Sequence, residues 1–300
     1  MFVMHSDHPG ESEPESRPDR RLGARSGEAS LLTQGALRLA LGAVGGPGAD
    51  GLSGTGKYPW PVFSPQGPSV PELAMQALSS VEGGYDRLAP KFDHTPFRTP
   101  DGVLDATAGA LRPLGPFGRG LDVCCGTGAG MRVLQPLCQG PVMGTDFSTG
   151  MLAQARSAHP AAAWVRADVR AMPFTGAFDL VVSFGALGHF LPAERHALFA
   201  SVRRALRPGG LFAFPLRAPQ PITSGGYWVL AGFDLAMRVR NAVWRPPFVM
   251  YYRTCPLRAV CIDLTASGFT VTTVPLTALG RREDGSPRCR LVLARKASTP

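Results

Sequence analysis

Between positions 121 and 130 the chain reads Leu121-Asp122-Val123-Cys124-Cys125-Gly126-Thr127-Gly128-Ala129-Gly130. An apolar run closed by spaced glycines is the pattern of a strand that turns tightly into a helix. The missing side chains let the backbone approach a ligand, and the helix start leaves N–H groups exposed. Several nucleotide-binding folds share such a loop, so it is only moderately specific. About twenty residues on, Asp146 sits in Gly144-Thr145-Asp146-Phe147-Ser148. A carboxylate ending a second strand can accept both hydroxyls of a ribose; a surface turn or helix N-cap is the competing role. After the glycine loop, the ribose role is favoured. A third constellation is Arg166-Ala167-Asp168-Val169-Arg170-Ala171-Met172-Pro173-Phe174, followed by Phe178-Asp179-Leu180-Val181-Val182. The six cysteines fall into no CxxC or Cys/His ligand spacing, so no metal site is expected. Buried thiols in a reducing, cytoplasmic setting are the simplest reading.

These residues need elements to hold them. Strands are expected at Leu121–Cys125, Pro141–Thr145, Ala163–Arg166, Phe178–Phe184 and Leu211–Leu216. Helices are expected between them at Met131–Leu137, Met151–Ser157 and Ala193–Leu206, the last stopped by Arg207-Pro208-Gly209-Gly210. This alternation implies an α/β chain with a parallel, doubly wound sheet. Beyond it, Tyr227–Trp244 and Leu257–Ser267 read as helices. Thr270–Pro275 and Arg290–Arg295 read as two strands that finish the sheet antiparallel. Upstream, residues 1–70 are rich in Gly, Pro, Ser and mixed charge and read as a largely disordered leader, with one short helix at Leu31–Leu41. From Pro71 the apolar spacing becomes helical.

At 300 residues, 44% apolar and 18% charged, the chain reads as a globular protein with room for one sizeable α/β domain plus decoration, or for two small domains. Its formal charge is +9, unevenly spread. Residues 1–57 hold six Lys/Arg and seven Asp/Glu, whereas from Arg217 onward there are twelve and four. That excess suits an anionic partner or surface, or simply a solvated basic face. The apolar stretch Leu31–Val44 is broken by Gln34 and Arg38 and is too short to cross a bilayer. The N-terminus lacks the basic-then-apolar order of a secretory signal.

Taken in order, the glycine loop, Asp146, the Asp168-Val169 pair, Met172-Pro173-Phe174, Phe178-Asp179-Leu180-Val181 and the Leu206–Gly210 ending resemble the class I S-adenosylmethionine-dependent methyltransferases. The glycine loop and Ser183-Phe184-Gly185 are also similar to the ubiquinone/menaquinone-type C-methyltransferases, although an Arg-Asn pair expected after Phe184-Gly185 is absent. The resemblance implies a Rossmann-like sheet of about seven strands with an antiparallel last strand. It divides residues 71–300 into N-terminal helices (71–118), a cofactor-binding core (119–216), a small helical cap (217–256) and a final helix and strands (257–296). It implies a small-molecule methyl acceptor, for which an apolar compound in the manner of a lipid or quinone is the expectation.

The implied cofactor is S-adenosylmethionine. Asp122, Cys124, Gly126 and Gly128 would line its methionine and ribose portion, and Asp146, with Phe147 beside it, would hold the ribose diol. Asp168 would accept the adenine amino group, with Val169 in contact, and Ser183 and Phe184 would lie beside the reactive methyl. Tyr85 belongs to Tyr85-Asp86-Arg87-Leu88-Ala89-Pro90-Lys91-Phe92-Asp93, which resembles the entry segment of small-molecule methyltransferases and would close over the methionine end. Phe92 stands there for a second tyrosine, and Cys124 stands where Gly or Ala is usual. His189 is the candidate base, with packing or helix capping as its alternative; His94 and Tyr85 are weaker candidates.

Aromatic residues of the cap (Tyr227, Trp228, Phe233, Trp244, Phe248, Tyr251 and Tyr252) with Arg238, Arg240, Arg245 and Arg253 would cover an apolar acceptor or touch a membrane surface. Forming the cap's own core is their plainer use. A nucleic-acid methyltransferase would need a polar residue, two prolines and an aromatic after strand four, where this chain has Ser183-Phe184-Gly185-Ala186. Nucleic acid is therefore not the expected partner. An NAD-dependent oxidoreductase would want a glycine where Met131 stands. A non-catalytic protein that binds the same cofactor is the remaining alternative.

Overall fold

The computed structural model describes residues 66–298 except 70, 71, 74, 77, 78, 96 and 244–254. The expected leader helix at Leu31–Leu41 lies outside the described residues. So do Trp244, Arg245, Phe248, Tyr251, Tyr252 and Arg253 of the expected cap.

Seven strands form one sheet: β1 (Gly120–Val123), β2 (Val142–Asp146), β3 (Ala163–Arg166), β4 (Phe178–Val182), β5 (Leu206–Arg217), β6 (Phe269–Pro275) and β7 (Cys289–Lys296). Their order across the sheet is β3-β2-β1-β4-β5-β7-β6. The first five strands are parallel, with Asp122 facing Gly144 on one side and Val182 on the other. β7 inserts between β5 and β6 and runs antiparallel to both. This is the Rossmann-like, seven-stranded sheet with an antiparallel last strand that the sequence implies.

Seven helices are described around it: α1 (Val81–Leu88), α2 (Asp101–Leu111), α3 (Met131–Leu134), α4 (Thr149–Ala158), α5 (Pro192–Ala205), α6 (Gly225–Val243) and α7 (Leu257–Ala266). The strands alternate their side chains between two cores. Val181, Phe212 and Val292 pack with Phe199 and Val202 of α5 and Val260 of α7. Leu180, Leu211 and Leu291 pack on the other face with Leu104 and Leu111 of α2 and with Met131 and Leu134 of α3. Helices on both faces explain why the central strands are apolar throughout.

Two elements differ most from expectation. α3 ends at Leu134 rather than Leu137. β5 begins five residues early, because Leu206 pairs with Phe178 directly after α5 ends. Gly209, at φ +75°, lets the chain bulge between the two pairing stretches, so Arg207–Gly210 stops the helix inside the strand instead of forming a free loop.

Candidate functional site

The C-terminal ends of β1, β2 and β4, with the segment after α1, enclose a cavity of about 460 Å³. β1 and β4 are neighbours although β2 and β3 intervene in the chain. The cavity therefore lies at the switch point where open α/β sheets bind ligands.

The loop after β1 makes its floor. Cys124 (φ +54°), Gly126 (+53°) and Gly128 (+92°) all take left-handed backbone, and Cys124 is the one non-glycine residue that does so among the described residues. For a residue with a Cβ this costs roughly 1–2 kcal/mol, so the turn is held by its surroundings. A Cβ on Gly126 would meet no atom within 4 Å, and that open side belongs to the cavity. On Gly128 a Cβ would approach Trp164 Cη2 to 2.8 Å, and on Gly130 it would strike Asp122 Oδ2 at 2.2 Å. Gly128 thus serves packing against β3, and Gly130 makes room for a carboxylate.

Two acids stand over this floor. Asp122 is 1% exposed, and its Oδ1 is buried without a hydrogen-bond partner among the described residues. Burial, then the charge of Asp146, push its carboxyl well above the usual range, against a hydrogen bond from the Gly130 N–H. Asp146 is 6% exposed. Its Oδ2 accepts from Gly126 N and its Oδ1 from Ser148 N, each at 2.9 Å. Burial raises its carboxyl, while those backbone donors oppose the rise.

On the wall opposite, Tyr85 Oη and His189 Nε2 are hydrogen-bonded at 2.9 Å, with the rings edge to face. The Tyr85 phenol is pushed upward by burial first and then by the negative charge near Asp146. Ser183 donates its hydroxyl to Val123 O at 3.1 Å, tying β4 to β1 at the cavity edge. Phe147 and Phe184 complete this part of the lining, and Phe92, Phe97, Phe190 and Phe214 extend it with apolar surface.

Of the residues singled out in the sequence, Tyr85, Asp122, Cys124, Gly126, Asp146, Phe147, Ser183, Phe184 and His189 line this one cavity. Gly128, Asp168 and Val169 do not. Val169 is buried in the core. Arg170 holds both oxygens of Asp168, through Nε at 3.0 Å to each and Nη2 at 2.6 Å to Oδ2. Arg170 N donates to Oδ1 as well, at 2.9 Å. These bonds hold the Asp168 carboxyl below its ordinary value, and Arg170 reaches on to Glu194. His94 is exposed and away from the lining.

Sequence reasoning gave no role to the two aspartates beside the α1 aromatics. Asp86 Oδ1 accepts from Ser148 Oγ at 2.6 Å and from Gly150 N at 2.8 Å. Asp93 Oδ1 accepts from Thr127 Oγ1 of the glycine loop at 2.7 Å. One acid thus pins the segment to the start of α4 and the other to the floor. The signal was present: an aromatic–aspartate pair, Tyr85-Asp86, recurs seven residues later as Phe92-Asp93.

Residues 121–210 match the family described as a methyltransferase domain. An uncharacterized methyltransferase of Synechocystis sp. is 37% identical over 94 residues, which is 31% of this chain and 44% of that protein. The demethylmenaquinone methyltransferase of Beutenbergia cavernae is 35% identical over 164 residues, 49% of this chain and 64% of that protein. The chain therefore spans about half the length of these curated relatives. Among solved structures, DhpI in complex with SAH superposes with a TM-score of 0.51 at 19% identity, covering 76% of this chain and 98% of that one; this likeness speaks to the fold.

Residues 121–210 are thus similar to a methyltransferase domain, and the sheet around them has the fold of the SAH-bound structure.

Proposed function

We propose that this chain transfers a methyl group from S-adenosylmethionine to a small, largely apolar acceptor. In this reading Asp146 and Asp122 hold the cofactor, and the Tyr85–His189 pair handles the acceptor's proton. Asp146 carries the reading: a buried carboxylate at the cavity wall, each oxygen fixed by one backbone N–H. Each of those oxygens keeps acceptor capacity for a ribose hydroxyl. The unpartnered Oδ1 of Asp122 offers a second acceptor beside it, and the bare face of Gly126 leaves room for the ligand.

When bound, S-adenosylmethionine supplies a methyl group already activated on a sulfonium. What remains for the protein is alignment and the exclusion of water, worth on the order of 7–11 kcal/mol in well-oriented systems. Tyr85 and Phe184 are the walls nearest that task, with Ser183 fixing the strand beneath them. Where the acceptor carries an acidic proton, the Tyr85 hydroxyl can take it while passing its own proton to an unprotonated His189 Nε2, the atom it is hydrogen-bonded to. General-base catalysis of this kind contributes typically about 10²–10⁴-fold. Asp168, with its oxygens held by Arg170, lies outside the cavity lining and is assigned no direct contact with adenine in this reading.

A small acceptor is supported by the aromatic lining and by the relative named for demethylmenaquinone. The division into leader, core and cap belongs to the same reading. All six cysteines are unpaired thiols, which supports a reducing compartment. The test is transfer of label from methyl-labelled S-adenosylmethionine into a fractionated small-molecule extract. Label in one organic-extractable compound would support the proposal; binding of the cofactor without transfer to any fraction would overturn it.

A further inference from the structure

α6 presents an apolar stripe to solvent. Trp228, Leu235, Val239 and Val243 are each more than half exposed, as is Ile222 just ahead of the helix. Spacings of seven, four and four residues put the four helical side chains on one face. On the opposite face Asp234 and Met237 are buried. There Tyr227, Leu230, Asp234 and Arg238 line a second cavity of about 320 Å³, which shares Cys255 with the cofactor cavity. α6 is thus solvent-facing on one side and lines the second cavity on the other. Among the described residues, no helix is long and apolar enough to cross a membrane.

We propose that this face of α6 lies in the plane of an anionic lipid surface. The charge distribution selects the partner. The one acid of α6, Asp234, is buried, so the outward surface of the helix carries no negative charge, while Arg238 is exposed at its flank. The chain from Arg217 onward has twelve basic residues against four acidic. A helix with an apolar face, a tryptophan at one end and an exposed arginine at its flank fits the pattern of interfacial anchors. The stripe is also small for a protein interface. Four side chains of this size expose on the order of 400–500 Å², roughly half of the ~800 Å² per partner that a stable association buries. An apolar acceptor held in the same lipid would reach the second cavity from beneath α6.

The full chain, without cofactor, is to be co-sedimented with phosphatidylcholine vesicles and with vesicles containing about 30% phosphatidylglycerol. We expect at least about tenfold more binding to the anionic vesicles, reduced by high salt. The exposed pair Leu235→Ser/Val239→Ser should lose that binding about tenfold with its thermal midpoint unchanged; Trp228→Ser is the second variant. Equal sedimentation with both vesicle types, or full binding by the variants, would overturn the proposal. So would a wild-type dimer in sedimentation velocity that the double variant dissociates, since a second copy would then cover the stripe. No methyl transfer is read, so failure here leaves the proposed activity standing.

Discussion

Replacing Asp86 with alanine should cost the domain about 3 kcal/mol, although Asp86 touches neither cofactor nor acceptor in our account. Its Oδ1 receives Ser148 Oγ at 2.6 Å and Gly150 N at 2.8 Å. Ser148 is fully buried, and Gly150 is packed so closely that a Cβ would lie 2.8 Å from Asp86 O. Neither donor can turn to water without moving the start of α4. Hydrogen bonds to charged groups contribute about 1.5–3 kcal/mol each, and half-burial favours the lower end, hence about 3 kcal/mol for two. In a domain of this size that lowers the thermal midpoint by about 6–12 °C. Asparagine keeps an oxygen where both donors point and loses only the charge, so Asp86→Asn should cost about 1 kcal/mol. Ser148 N also donates to Asp146, so Asp86→Ala should weaken S-adenosylmethionine binding about tenfold as well. Thermal unfolding followed by circular dichroism, with calorimetric titration of the cofactor, reads both effects. An alanine variant within 2 °C or so of wild type, or an asparagine variant as damaged as the alanine, would refute the reasoning.

Two further substitutions test the loop and its acid. Gly130→Ala would drive a Cβ to 2.2 Å from Asp122 Oδ2; we expect a loss of about 1–3 kcal/mol in denaturant unfolding, partly recovered when Asp122→Ala is added. Burial holds the Asp122 carboxyl above its ordinary value, so ionisation in the folded state opposes folding. The favourable contribution is full below the unfolded value near ~4 and is lost as pH rises through the raised folded value. Asp122→Asn, which does not ionise, should therefore melt higher than wild type at neutral pH, with the gap closing on acidification. A gap that widens toward low pH would contradict the sign.

The strand–helix alternation was legible because the central strands are buried on both faces and so read as apolar runs between glycine turns. Leu180, Val181 and Val182 are the plain case. Strand β5 was shortened in the reading because Pro208-Gly209-Gly210 looks like a loop; only pairing of Leu206 with Phe178 makes it a bulged strand start. Asp146 could be read for the cavity since its position is fixed by the end of β2. The pairing of Asp168 was not legible: the turn Val169–Ala171 brings Arg170 back onto it, and spacing alone does not say whether neighbouring opposite charges meet. The docking of Asp86 and Asp93 joins residues 62 and 34 positions apart, beyond any local pattern. Cys124 in left-handed backbone runs against its type, and its place in a loop of glycines was the visible hint.

Calorimetric titration of S-adenosylmethionine into wild type, Asp146→Ala and Asp168→Ala is the most direct measurement. We expect binding by wild type, a loss of at least about 100-fold with Asp146→Ala, equivalent to roughly 2.7 kcal/mol, and less than about tenfold with Asp168→Ala, whose carboxylate is already spent on Arg170. No heat with wild type, or an Asp146→Ala protein that binds as wild type does, would contradict the account.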